Sequence, residues 1–260
     1  MNISFIIVNY QSRQFLQQCI KSIYEHAPAV SYEILLANND SEPLLNFLEK
    51  PDLKIIENQS NVGFGQACNL AARESIGEIL FFLNPDTELK TSNIDDIAQA
   101  LADLNLGIVA PVLVMASGSI QPWSAGKTIT PWRTLLNNLS SKQDDFFQKQ
   151  IAPSEADWVS GGAFAIRKKT FLECGGFDEK FFLYFEDIDL CKRIRSLGKK
   201  IIILPSVKVL HLGGQSISDI KKQKEFYYQS QDYYFKKHFG TAASLFIKLL
   251  KKIALAFKKI

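Results

Sequence analysis

A zinc knuckle or a disulfide framework needs clustered cysteines. This 260-residue chain has only four, Cys19, Cys68, Cys174 and Cys191, scattered and without a C-x-x-C pair. That spacing excludes both and fits reduced, buried thiols. Nowhere is there a run of about 18 uncharged apolar residues, so no transmembrane helix is expected. The first residues, from Met1 to Tyr10, carry no basic leader and too short an apolar run for a secretory signal, and a cytoplasmic location is expected. No internal repeat and no low-complexity linker divides the chain. The length allows one large domain or two small ones, and the unbroken pattern favours one over residues 1–240, followed by a helical tail over 241–260.

Apolar residues are plentiful, at 47% of the chain, and 19 Phe and 8 Tyr against 2 Met indicate a stiff aromatic interior or an aromatic-lined cleft. The formal charge of +3 is unevenly spread. Every acid lies at or before Asp232, and seven of the 30 basic residues follow it, leaving 23 against 27 acids up to that point, a net of −4. The basic character therefore belongs to the tail. No nucleic-acid partner is expected.

The first third alternates two periodicities. Ile3 to Val8 is a short β-branched apolar run of the kind buried parallel strands show. Ser12 to His26 places Phe15, Leu16, Cys19, Ile20 and Ile23 at helical spacing, with Pro28 ending the helix. Strands are expected at Glu33–Ala37, Leu53–Glu57 and Ile79–Leu83, with a helix at Gly65–Ser75 closed by Gly77. Then come a helix at Ile94–Leu104, a strand at Ile108–Leu113 and a polar hairpin at Ala116–Gln121. Residues 122–155 mix Pro, Asn, Ser, Gln and Trp and read as a mobile loop or lid. Order returns at Trp158–Arg167, a helix at Asp187–Ser196 and a strand at Lys200–Leu204. Strands separated by helices predict an α/β fold, a Rossmann-like, mostly parallel sheet flanked by helices, with its site at the strand C-termini.

Four constellations can carry chemistry there. Asn84-Pro85-Asp86 follows a buried strand, where a carboxylate can hold a divalent cation against a diphosphate; the same triplet is also good turn chemistry. Glu186-Asp187-Ile188-Asp189 follows the aromatic run Phe181 to Phe185. A carboxylate against aromatic walls is desolvated, and a raised pKa suits a general base, although acids also cap helix N-termini. His211 ends an apolar run and precedes Gly213 and Gly214, as in a loop that closes over phosphate. Trp158-Val159-Ser160-Gly161-Gly162 offers small residues that admit a ligand to the backbone, or a tight strand crossing.

Taken in order along the chain, these stretches resemble glycosyltransferase family 2, in particular its rhamnosyltransferase-like members. The matching segments are Ile6 to Tyr10, Asn38 to Ser41, Asn61 to Asn69, Leu83 to Asp86, Gly118 to Gln121, Trp158 to Gly161, Gly175 to Phe182, Glu186 to Asp189 and His211 to Gly214. The resemblance implies a GT-A fold, a nucleotide-sugar donor and displacement at the anomeric carbon with inversion. It places Asn9, Tyr10, Asn38 and Ser41 around the nucleoside, Asn69 beside them, and Asn84 and Asp86 at the diphosphate. Asp86 and His211 become ligands of Mg²⁺ or Mn²⁺, which would neutralise the departing diphosphate. Asp187 becomes the catalytic base, and Trp158, Gly161, Gly162 and Glu186 line the acceptor or donor-sugar pocket. Two positions depart from the family. Asn38 stands where an acid usually accepts the pyrimidine N–H, so it accepts without charge assistance. Asn84 replaces the first acid of the DxD motif and leaves fewer charged ligands.

The tail reads as a basic amphipathic helix. Leu245, Phe246, Leu249, Leu250, Ile253, Phe257 and Ile260 fall on one face, and Lys248, Lys251, Lys252, Lys258 and Lys259 collect on the other. Such a helix suits an anionic bilayer, each lysine contributing ~1 kcal/mol near it; it could equally dock on the protein's own body. The expectation is an inverting transferase, peripheral on the inner face of the plasma membrane. It would move a sugar, with dTDP-rhamnose the leading donor, to a saccharide or lipid-linked acceptor in bacterial surface-polysaccharide synthesis. A nucleotidyltransferase is the rival among enzymes, but it wants a glycine-rich phosphate loop after the first strand, and residues 9–13 are not one. A non-catalytic binding or scaffold subunit of the same fold is the alternative of another class.

Overall fold

The computed structural model describes residues 1–44, 50–139, 152–213 and 220–257, except for the side chains of 136–139 and 253–257. In chain order the elements begin with β1 (Ile3–Asn9), α1 (Arg13–Glu25), β2 (Tyr32–Asn38), β3 (Leu53–Glu57), α2 (Phe64–Glu74), β4 (Ile79–Leu83) and β5 (Thr87–Leu89). They continue with α3 (Asp95–Ala100), β6 (Leu106–Val114), β7 (Ala125–Gly126), α4 (Pro131–Leu139), β8 (Ser154–Ala156), β9 (Trp158–Val159) and β10 (Ala163–Arg167). The last are α5 (Lys168–Glu173), α6 (Glu186–Ser196), β11 (Lys200–His211) and α7 (Ile220–Phe257).

The main sheet runs β3-β2-β1-β4-β10-β6-β11-β5, with β8 added beside β11. β3, β2, β1 and β4 are mutually parallel. β10 enters antiparallel between β4 and β6, and β11 runs parallel to β6. Because β10 is reversed, its first residue Ala163 faces Leu83, the last of β4. The start of β10 therefore shares an edge with the C-terminal ends of β1, β2, β4 and β11. Three of these parallel strands end in a polar residue, Asn9, Asn38 or His211, and the loop after β4 begins with Asn84.

Side-chain alternation splits the apolar residues between two faces. Ile3, Phe5 and Ile7, with Ile79, Phe81 and Leu83, pack under α1 and α3. Ile6 and Val8, with Leu80 and Phe82, pack under α2 and α6. Phe82 alone meets the rings of Phe164, Phe171 and Phe177, and full burial of such a side chain contributes about 1.5–3 kcal/mol. All four cysteines are free, and three of them are buried.

A third cluster lies apart from the sheet. Phe181 and Phe185 pack on Tyr234, Phe235 and Ile247 of α7. Gly240, at φ +85°, breaks α7 into two helical pieces, a turn that costs a glycine little. The second piece folds back on the first: Ser244 Oγ donates to the Asp232 carbonyl, Lys248 pairs with Asp232 at 3.5 Å, and the Lys251 ammonium lies 3.3 Å from the centre of the Tyr228 ring. Ile247, not assigned to the apolar face, is buried, and Leu250 packs against the same cluster. Leu245, Phe246 and Leu249 remain 61%, 40% and 56% exposed. The tail thus divides between the two readings, docked along one edge and apolar outward along another. No helix among the described residues is long and apolar enough to cross a membrane.

The segment read as a mobile lid is built at both ends. β7 pairs with β9, α4 follows it, and β8 joins β11; residues 140–151 lie outside the described residues. Asp157 holds this region together by accepting from the backbone and hydroxyl of Thr128 at 2.7 Å each.

Candidate active site

The shared edge of the sheet carries two polar clusters and one helix start. The first cluster follows from register. Asn9 and Asn38 are paired residues of β1 and β2, and Asn9 Nδ2 donates to Asn38 Oδ1 and to Asp40 Oδ2, both at 2.8 Å. Asn38 Nδ2 donates to the Glu42 carbonyl at 2.9 Å and to Glu57 Oε2 at 2.6 Å, while Asn38 Oδ1 also accepts from Asp40 N at 3.3 Å. Four bonds are the full capacity of a carboxamide, so Asn38, fully buried, is spent within the protein. The half-exposed carboxylate beside it is Asp40, which also accepts from Gln11 N at 2.9 Å. Tyr10 is half-buried and Ser41 exposed on either side of this cluster. Asp40 lies within the Asn38 to Ser41 stretch but was not among the expected site residues.

The second cluster joins the loop after β4 to the end of β11. His211 pairs with Thr87 of β5, which sets its ring beside the preceding residues. His211 Nε2 lies 3.4 Å from Asp86 Oδ1 and 3.3 Å from Asn84 Nδ2. Its Nδ1 lies 2.8 Å from Oε1 of Gln121, a residue of the hairpin missing from the expected site. Asp86 and His211 are both buried. Among the described residues no three or more His, Cys, Asp or Glu side chains converge as a metal cluster. Asp86 offers a carboxylate oxygen and His211 an imidazole nitrogen, and a cation on this pair would complete its shell with diphosphate oxygens and water.

Between these clusters and α6 stand two consecutive glycines. The Gly161 N–H donates to Asp187 Oδ2 at 2.7 Å. The Gly162 carbonyl accepts from Asn84 N at 3.0 Å, and a Cβ on Gly162 would fall 2.9 Å from His211 Cε1, too close for any side chain. One dipeptide thus touches Asp187 on one side and the Asn84–His211 pair on the other.

The three acids of α6 part company within one turn. Tyr184 and Phe185, at φ +69° and +67°, turn the chain left-handed just before the helix, a conformation costing about 1–3 kcal/mol per non-glycine residue. Ser230 Oγ donating to the Leu183 carbonyl at 2.7 Å and the Phe185–Tyr234 ring contact hold that turn. Asp187 then faces Gly161. Burial raises its carboxyl above the usual aspartate range, partly opposed by the N–H groups of Gly161 and Ile188. Glu186 is buried with Oε2 unpartnered; burial, then the Asp187 and Asp189 charges, push its carboxyl well above the usual value. Asp189 faces α7. Burial would raise it too, but the His238 hydrogen bond, the Arg193 charge and the Lys237 hydrogen bond outweigh that and hold it at about 2.

Two expected site residues have their polar groups engaged within the protein. Asn69 clamps the 175–179 loop, donating to the Phe177 carbonyl and accepting from Phe177 N, both at 2.9 Å. It lines a 420 Å³ cavity with Arg73, Asp178, Arg193 and Lys237. The Trp158 indole N–H is committed to the Lys127 carbonyl at 3.0 Å, and its ring lies against Gly126. Gly214 lies outside the described residues.

Comparisons with known proteins bear on this edge. The sequence profile of Glycosyl transferase family 2 matches residues 4–175, and that of the N-terminal domain of galactosyltransferase matches 145–214. The chain is 26% identical over 241 residues to N-acetylglucosaminyl-diphospho-decaprenol L-rhamnosyltransferase of Mycobacterium tuberculosis, covering 79% of this chain and 74% of that protein. It is 26% identical over 258 residues to the low-salt glycan biosynthesis hexosyltransferase Agl10 of Haloferax volcanii, covering 97% and 79%. Among solved structures, GalNAc-T7 with UDP, GalNAc and Mn²⁺ superposes with a TM-score of 0.62 at 19% identity over 81% of this chain and 44% of that one. Mannosyltransferase PcManGT of Pyrobaculum calidifontis, in complex with GDP-Man and Mn²⁺, superposes at 0.61 and 16% identity over 90% and 63%. The chain thus spans less than two thirds of either solved chain.

Proposed function

We propose that this chain, which belongs to glycosyl transferase family 2 and is a glycosyltransferase of GT-A fold, inverts the anomeric centre of a nucleotide sugar as it passes the sugar to an acceptor hydroxyl. The observation that carries this reading is the Gly161–Gly162 step, which ties Asp187 to the Asn84–Asp86–His211 cluster.

Asp187 is the base in this reading. Its ionised carboxylate takes the acceptor hydroxyl proton as that oxygen bonds to the anomeric carbon, and the bond from that carbon to the diphosphate oxygen breaks. The nucleoside diphosphate leaves with both electrons. Among the described residues backbone N–H groups partner Asp187, which orient it without a cation that would quench its basicity. Asn9, Tyr10, Asp40 and Ser41 frame the nucleoside, with Asp40 offering the charged acceptor that Asn38 does not. Asp86 and His211 would hold Mg²⁺ or Mn²⁺, which would supply positive charge to the leaving diphosphate. Gly161, Gly162 and Glu186 border the sugar.

The finer reading is a rhamnosyltransferase acting on a lipid-linked saccharide in surface-polysaccharide synthesis, working at the inner face of the plasma membrane. The name of the mycobacterial relative and the outward Leu245, Phe246 and Leu249 beside exposed Lys248 and Lys252 support it. Calorimetric titration of dTDP-, UDP- and GDP-sugars with and without Mn²⁺ tests the donor. Saturable binding of one nucleotide class, lost in Asp86→Ala, is expected; binding of none removes the transferase reading. Removing the tail would also strip Ile247 from the third cluster, so the membrane test uses Leu245→Ser, Phe246→Ser and Leu249→Ser together. Transfer to a lipid-linked acceptor in anionic vesicles should fall while transfer to a soluble acceptor holds. Equal loss on both would overturn the membrane contact.

A further inference from the structure

We infer that Gln121 is a positioning residue that keeps the His211 proton on Nδ1 and leaves the Nε2 lone pair turned toward Asp86. Which ring nitrogen carries the proton is set by the bond the other makes, and a metal-ligating histidine almost always hands its free N–H to an acceptor. Gln121 Oε1, 2.8 Å from Nδ1, is that acceptor. A second contact agrees with it: Asn84 Nδ2, a donor, stands 3.3 Å from Nε2 and calls for a lone pair there. With the proton on Nδ1, Nε2 and Asp86 Oδ1 are two electron-rich atoms 3.4 Å apart, an arrangement that a cation between them relieves.

The hairpin makes this contact rigid. Gln121 N donates to the Leu113 carbonyl at 2.8 Å, and Ile120 bridges Val114. Leu113 is paired with Val209 of β11, two residues before His211 and on the same face. On the other side Gly162 borders the ring, where even a Cβ would fall 2.9 Å from His211 Cε1 and 3.0 Å from Nδ1. The ring is therefore bordered by a residue that must stay small, and its tautomer is set by Gln121. The bearing on cation binding rests on the proposed function; the tautomer does not.

The test is nitrogen-15 NMR of the full chain labelled in its three histidines, His26, His211 and His238, at about pH 8, where an ordinary imidazole is neutral. His211 in the native protein should show the Nδ1–H tautomer. Gln121→Leu should shift it toward Nε2–H or a mixture, and Gln121→Glu, which keeps the acceptor, should restore it. The same samples titrated with Mn²⁺ should show His211 broadening whose midpoint rises about 10- to 100-fold in Gln121→Leu and stays within a few-fold of native in Gln121→Glu. Unmoved His26 and His238 signals show that the variants keep their fold. A native Nε2–H tautomer, or a tautomer unchanged by Gln121→Leu, overturns the inference. The native Nδ1–H tautomer with no Mn²⁺ response would remove the cation from the proposed function and leave the Gln121 contact standing.

Discussion

Asp187 and Asp189 stand two residues apart on α6, about 200° around the helix axis, and the protein treats them in opposite ways. Asp189 is fully buried and ringed by Arg193 Nε at 2.8 Å, Lys237 Nζ at 2.6 Å and His238 Nε2 at 2.7 Å. Asp187, among the described residues, receives only backbone N–H groups, from Gly161 and Ile188. A carboxylate held by two cationic groups and a histidine hydrogen bond is a poor proton acceptor and a good anchor; one oriented by dipoles and left uncompensated keeps its basicity. The comparison teaches that the helix has a holding side, which fixes α7, and a working side, which faces the sheet edge.

Neutralising the working side should have the largest effect. Asp187→Asn still accepts the Gly161 N–H through its amide oxygen, so the fold and donor binding are expected to persist while transfer falls by ~10²–10⁴, the range for loss of a general base. Single-turnover transfer with calorimetric donor binding in parallel reads both. Unchanged turnover would shift the role to Glu186. The pH profile sharpens the point: because burial raises Asp187, the acid limb of kcat/KM should lie above the ordinary aspartate value of 3.8, with activity falling as pH falls through it. The limb should vanish in the variant.

Neutralising the holding side should cost stability first. Asp189→Asn strands Arg193, Lys237 and His238, and breaking a buried pair in this way costs about 3 kcal/mol, readable as a lower denaturation midpoint. Asp189 also carries a pH signature. Its folded pKa of about 2 lies below the ordinary 3.8, so its contribution is full above the unfolded value and is lost as pH falls toward 2. That amounts to about 2 kcal/mol of linkage, and the acid-unfolding curve of Asp189→Asn should flatten accordingly.

How much of this was legible in sequence follows from how each feature is specified. β1, β2, β3 and β4 announce themselves as apolar runs ending in polar residues. Asp86 and His211 stood out by residue type and position, while Asp187 was singled out among the Glu186–Asp189 acids only by the family resemblance. Sequence could not show that Asn9 stands opposite Asn38, because that contact depends on strand register; hence Asn38 looked available and Asp40 did not. Gln121 belonged to a recognised stretch, but its target is 90 residues away. α3 ends at Ala100 rather than Leu104, where the Arg167 guanidinium instead gathers the carbonyls of Leu101, Asp103, Leu104 and Leu106. β11 outruns its expected end at Leu204 because Pro205, which cannot donate to a ladder, sits in a bulge between Leu204 and Lys208.

Glu186 offers the smallest effect and the cleanest check on the comparison, because it belongs to neither side. Among the described residues it has no cation like Asp189 and no N–H pair like Asp187, and its Oε2 is buried without a hydrogen-bond partner. Burial and its two acidic neighbours hold it protonated well above the usual glutamate range. Glu186→Gln then replaces one neutral group by another of nearly the same shape, and transfer near neutral pH should change by less than about threefold, under 1 kcal/mol. Stability should separate the two proteins instead. A group whose folded pKa is raised contributes fully below its unfolded value and loses that contribution as pH rises toward the folded one. The native protein should therefore lose stability relative to Glu186→Gln as pH climbs above the ordinary 4.5, measured as diverging urea midpoints. Parallel curves would mean that Glu186 is ionised in the folded protein, and a large loss of transfer would place it on the working side beside Asp187.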